Sequence, residues 1–96
     1  MTKAEARRRL AKLPGWTLAP NGKSIRRDLV LENFLAAVAL IRKIAARAEK
    51  LGHHPDLHLT GYRKLKIVLS THDAGGLSPL DFKLAAEVSP LVVRGF

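Results

Sequence analysis

Three of the four histidines in this 96-residue chain fall in two short stretches. His53 and His54 lie in Glu49-Lys50-Leu51-Gly52-His53-His54-Pro55, and His72 lies in Ser70-Thr71-His72-Asp73. An imidazole, with an unperturbed pKa of about 6.5, both gives and takes protons near neutral pH. Rings from two separated stretches, brought around one small cavity, would suit proton transfer on a small molecule. The chain has no cysteine, which excludes disulfides, thiolate metal sites and cysteine nucleophiles. A zinc site is the first rival, because His53, His54, His58 and His72 with Asp73 include the right donor types. Adjacent histidines on an extended segment point apart, however, and no HExxH helix exists, so acid–base work is the preferred reading.

Each of these residues also has a plain structural reading. His53 and His54 follow a helix end, where protonated rings favour the dipole. His72 reads as a solvated strand-end residue and His58 as a surface strand residue. Asp81 reads as a capping residue in the first turn of the last helix rather than as a site residue. Glu49 reads as a helix-surface acid and Trp16 as a core anchor. Only the joint spacing favours a site.

The elements that must position these residues follow from pattern. Thr2-Lys3-Ala4-Glu5 has capping-box spacing, and Ala6, Leu10, Ala11 and Leu13 supply an apolar stripe, so a first helix is expected to run up to Pro14-Gly15. Residues 16–18 and 24–31 read as strands around the turn Pro20-Asn21-Gly22. The strongest helix spans 32–51, with Phe34, Leu35, Val38, Ile41, Ile44, Ala45 and Ala48 as its expected apolar stripe and Gly52 as its left-handed stop. Residues 57–62 and 64–71 form a second hairpin, in which Leu65, Ile67 and Leu69 alternate with Lys64, Lys66, Val68 and Ser70. Gly75-Gly76 turns the chain into a last helix opened by Ser78-Pro79-Leu80-Asp81, with Leu80, Leu84, Ala85, Val88 and Leu91 facing inward. The order is α-β-β-α-β-β-α, an α+β fold with an antiparallel sheet covered by helices on one face.

Composition bounds the function classes. The chain reads as one domain, residues 1–96, with 47% hydrophobic and 26% charged residues, the balance of an ordinary soluble protein. Its longest apolar run, Phe34 to Ile41, has 8 residues, well below the ~20 a membrane-spanning helix needs. An arginine-rich beginning with Glu5 and no apolar core is not the pattern of a secretory signal. The cysteine-free composition fits a reducing, cytoplasmic setting. A net charge of +9 raises nucleic acid as a partner. The cations cluster only at Lys3, Arg7, Arg8, Arg9 and Lys12 and scatter elsewhere, and one Trp, one Tyr and three Phe make no base-stacking platform. The basic face fits an anionic substrate or partner better than a dedicated nucleic-acid reader.

At these residues the chain resembles the pterin-4a-carbinolamine dehydratases, also called 4a-hydroxytetrahydrobiopterin dehydratases. Glu49, His53, His54, Pro55, Tyr62, His72 and Asp81 stand at the family's signature spacing. Flanking agreement includes Gly15-Trp16, Ala48-Glu49-Lys50-Leu51, Leu69-Ser70-Thr71-His72-Asp73, Gly76-Leu77-Ser78 and Leu84-Ala85, so the resemblance covers roughly residues 13–88. Animal members carry Trp two residues after the signature proline, where this chain has Leu57. The segment is also one residue longer here, as in the bacterial and plant variant.

The resemblance implies a four-stranded antiparallel sheet with three helices packed on one face, assembled as a homodimer or homotetramer. It also implies loss of water from a 4a-hydroxytetrahydropterin to give the quinonoid dihydropterin, in tetrahydrobiopterin recycling, with no metal or organic cofactor. It assigns His53, His54 and His72 to catalysis, with His53 and His72 as the expected acid–base pair and His54 orienting the pterin. Pro55 joins the substrate-binding set as part of the signature. Ser70, Thr71 and Asp73, at a strand exit with free polar groups, are expected to meet the donor and acceptor edge of the ring, and Glu49 to orient an imidazole. Animal members also partner a homeodomain transcription factor, so the alternative is a non-catalytic binding or dimerisation module for a transcription factor or nucleic acid.

Overall fold

The computed structural model describes residues 1–95, with side chains through residue 92; Phe96, the last residue of the expected domain, lies outside the described residues. In chain order the elements are α1 (Lys3–Leu10), β1 (Thr17–Leu18), β2 (Ile25–Val30), α2 (Phe34–Leu51), β3 (Asp56–Thr60), β4 (Lys64–Leu69), a single 3₁₀ turn (His72–Ala74) and α3 (Pro79–Gly95). The four strands form one antiparallel sheet in the order β1-β2-β4-β3. β2 and β4 pair along their whole length, from Ile25 opposite Leu69 to Val30 opposite Lys64. The expected α+β order and helix-covered sheet are those observed.

Alternation fixes which sheet face is covered. Ile25, Leu29, Leu65, Ile67 and Leu69 point inward and are buried, while Arg26, Asp28, Lys64 and Lys66 stand exposed on the other face. Against the inward face lie Ala37, Leu40, Ile44 and Ala48 of α2 and Leu84, Ala85, Val88 and Val92 of α3, all buried in the same core cluster. Arg27 shares the inward side of β2 and sends its guanidinium toward Gly15, where an added Cβ would come within 3.0 Å of it. Gly15 has φ +91°, a left-handed backbone that favours glycine.

Local chemistry sets the boundaries. The Thr2 side chain accepts from the Glu5 N–H at 3.1 Å, as the capping box predicts. α1 nevertheless ends at Leu10 rather than at Pro14, because residues 12 and 13 close tighter bonds to Arg9 and Leu10, and Ala11 is left exposed. α2 begins two residues later than the first expected residue, capped by the Asn33 side chain on the Ala36 N–H at 2.8 Å. Its buried stripe is also narrower than expected. Phe34 and Leu35 are 53% and 79% exposed and Ala45 is exposed, while the sheet receives Ala37 and Leu40 instead. The run Phe34 to Ile41 is apolar around the whole helix, so periodicity there does not fix which side turns inward. Leu80 of α3 is likewise exposed, and Phe82 and Val92 take inward places.

Candidate active site

The C-terminus of α2 sets the first part of the site. Gly52 adopts the left-handed conformation (φ 64°, ψ 28°), and the His53 N–H then reaches back to the Ala48 carbonyl at 3.1 Å. This closure turns the chain sharply and fixes the backbone of His53 against a long packed helix. The two adjacent rings diverge. His53 is buried and His54 is exposed.

The Nε2 of His53 lies 2.6 Å from Oδ1 of Asp81, a wholly buried residue in the first turn of α3. The other oxygen of Asp81, Oδ2, accepts from the Thr71 hydroxyl at 2.8 Å and from the Ser78 N–H at 2.9 Å. Thr71 Oγ1 is also 2.8 Å from Ser78 Oγ. The proton directions follow from acceptor capacity. An ionised carboxylate only accepts, so His53 donates through Nε2 and Thr71 through its hydroxyl, leaving Ser78 Oγ–H to donate to Thr71. Asp81 thereby holds His53 through Nε2, and Nδ1 takes no part in this network. The side chain of His53 keeps 10% of its surface exposed.

Asp81 therefore has two roles. It is the first-turn capping residue the sequence predicts, through Ser78, and it is also the partner of His53. Glu49 pairs instead with Nε2 of His54, and both side chains are largely exposed. The acid one turn before the histidines thus orients the outer ring, and the inner ring takes its partner from α3.

The third histidine adjoins the Asp81 network through its neighbour Thr71, and the hollow it lines includes neither His53 nor His54. Thr71 follows β4, pairs with Gly76 across a small bridge and hydrogen-bonds Asp81; His72 is the next residue. His72 is exposed and opens the 3₁₀ turn. It lines a hollow of about 250 Å³ with Ser70, Thr71, Gly75, Gly76 and Lys23, the last from the β1–β2 connection. The small volume and the polar side chains at its rim suit one edge of a flat heterocycle. Asp73 is exposed beside His72, and Pro55 is half-buried on the way from His54 into β3. Tyr62 lies at the β3–β4 hairpin tip, 61% exposed, with the Arg63 guanidinium 5.8 Å from its ring centre. Among the described residues, no group of three or more His, Asp or Glu side chains is arranged to hold a metal ion.

Asp81, Ser78 and Lys23 were not among the expected site residues. Asp81 carried a signal in its signature position; Lys23 carried none, because only the fold brings the first hairpin to the end of β4.

A sheet with helices on one face and a buried His–Asp pair joining the end of α2 to the start of α3 mark the class of protein. Residues 1–91 match the family described as Pterin 4 alpha carbinolamine dehydratase, and the chain belongs to that family. A protein of Trichormus variabilis named "Putative pterin-4-alpha-carbinolamine dehydratase" is 41% identical over 88 residues, covering 92% of this chain and 91% of that one. The crystal structure of a transcriptional coactivator/pterin dehydratase from Brucella melitensis superposes with a TM-score of 0.88 at 30% identity, over 95% of this chain and 96% of that one. A pterin dehydratase-like protein identified as a RuBisCO assembly factor in the alpha-carboxysome shares the fold, with a TM-score of 0.66 at 19% identity over 80% of this chain and 88% of that one.

Proposed function

We propose that this chain removes water from a 4a-hydroxytetrahydropterin to give the quinonoid dihydropterin. The observation that carries the reading is the buried His53–Asp81 pair, at 2.6 Å, in a chain of the dehydratase family. Elimination needs two proton movements on a flat ring. The hydroxyl on C4a takes a proton and leaves as water, while the proton on N5 departs and its electron pair forms the C4a=N5 double bond. An acid and a base are sufficient, with no electron transfer and no covalent intermediate, and each positioned transfer contributes roughly 10²–10⁴-fold.

His53, held through Nε2, exchanges its proton at Nδ1, and His72 is the second member of the pair. His54, braced by Glu49, orients the ring beside Pro55, and Ser70, Thr71 and Asp73 meet its donor and acceptor edge. The protein works in the cytoplasm, as its cysteine-free composition favours, and it self-associates through the exposed apolar side of α2.

The test is to generate the 4a-hydroxytetrahydropterin with a hydroxylase and follow its absorbance decay with and without this protein. Acceleration is expected at micromolar protein, and none would refute the activity. His53→Ala and His72→Ala should each slow turnover by about 10²-fold or more with the fold intact. Unchanged rates in both would remove them from the site.

A second reading, a binding module without turnover, is favoured by the exposed Phe34 and Leu35 at the start of α2. In that case the absorbance decay stays at its uncatalysed rate while a partner is retained.

A further inference from the structure

We propose that the groove between α1 and α3 receives an acidic amphipathic helix of a partner protein. This surface lies outside the histidine site, and its cations have no part in the dehydration.

The groove, about 650 Å³, is lined by Glu5, Arg8, Arg9, Lys12 and Leu13 on one side and by Phe82 and Ala86 on the other. Residues 5, 8, 9 and 12 recur at three- and four-residue intervals, so one face of α1 and the turn after it forms one wall. Phe82 and Ala86 are one turn apart on α3 and form the facing wall. Three cations therefore stand over a floor whose accessible apolar surface is Leu13 and Ala86, Phe82 being buried, with a single carboxylate among them. That carboxylate is engaged, since Glu5 meets Arg9 at 3.3 Å. Arg9 also sits 5.6 Å from the Phe82 ring centre, so it spans the groove. Arg8 and Lys12, both exposed, are left as the cations that an incoming acid can meet.

Charge and shape together select the occupant. Carboxylates spaced one turn apart match Arg8 and Lys12, and apolar side chains on the same helix face match the floor, which is the helix-in-groove mode of recognition. A nucleic-acid backbone would use the cations and leave the floor unused. Base stacking would need an open aromatic face, whereas Phe82 is 7% exposed and has Arg9 over it.

The test is fluorescence anisotropy of the full chain with a labelled synthetic peptide of about 18 residues, long enough to hold a helix, bearing leucines on one face and glutamates flanking them. Saturable binding is expected, and a scrambled peptide of identical composition should bind about tenfold more weakly. Arg8→Glu with Lys12→Glu should weaken binding by about tenfold or more, while Arg26→Glu with Lys66→Glu, the same charge change on the open sheet face, should cost about threefold or less. All four positions are exposed, so both double variants are expected to fold. Absence of binding, equal binding of the scrambled peptide, or equal loss in both double variants would overturn the proposal. So would tighter binding of duplex DNA, or a self-association of the chain that only Arg8→Glu with Lys12→Glu abolishes.

Discussion

Asp81 concentrates more interactions than any other polar residue described. Burying a carboxylate is costly, and here three donors offset that cost: the His53 ring, the Thr71 hydroxyl and the Ser78 N–H. Asp81→Asn keeps the shape but replaces one acceptor oxygen with a donating amide. Either His53 or the Thr71–Ser78 pair then faces a donor. Stability should fall by about 2–4 kcal/mol, read from urea unfolding. Turnover of the carbinolamine should fall by about 10²-fold or more, because His53 is no longer held through Nε2 by a carboxylate. Glu49→Ala provides the contrast. The Glu49–His54 pair is exposed, 75% and 64% at the side chains, so its removal should cost no more than about 1 kcal/mol. An Asp81→Asn variant as stable and as active as the parent would mean that the buried network has neither role.

The three histidines of the candidate site are placed by the ends of elements, and Gly52 shows how. Its left-handed backbone lets the Gly52 and His53 N–H groups satisfy the last carbonyls of α2. A Cβ added there meets nothing within 4 Å, so Gly52→Ala adds backbone strain without a clash. The expected cost is about 1–2 kcal/mol in chemical denaturation, with Gly52→Asn closer to the parent. An alanine variant with the parent's midpoint would contradict the left-handed turn. Signals of this local kind are what made much of the fold legible in the sequence. The Thr2 cap, the alternation of β4, the Gly52 stop and the Asp81 capping position are all written within a few residues of where they act. The inward side of α2 was not legible, because an all-apolar stretch carries no phase. Nor was the partner of His53. Glu49 is close to both histidines in sequence, and only the turn at Gly52 decides that it meets His54. The acid that does hold His53 is 28 residues away, a pairing that depends on how α2 and α3 pack.

At the scale of the whole molecule, the fold is two-sided, with both α2 and α3 on one face of the sheet and charged side chains on the other. α2 turns Ala37, Leu40, Ile44 and Ala48 to that core, with Ile41 packed at its margin, which leaves Phe34, Leu35 and Val38 on its outer side, from largely exposed to half-buried. A contiguous apolar strip on a chain of net charge +9 is a liability in isolation and a natural place for copies to meet. The charge opposes association, so an assembly on this strip would need burial of its apolar side chains to supply the attraction. Leu35→Glu separates assembly from folding. Leu35 is 79% exposed in the single chain, so the substitution should change unfolding of a monomer by no more than about 0.5 kcal/mol. In an assembly built on α2, the same change places a carboxylate in an apolar contact and should shift sedimentation velocity from an oligomer to a monomer. Lys83→Glu, a change at an exposed position on α3, should leave the sedimentation of the parent intact. A parent chain that already sediments as a monomer at micromolar concentration would remove α2 as an interface. An oligomer indifferent to Leu35→Glu would move the contact elsewhere, with the open edge of β3 the next surface to test.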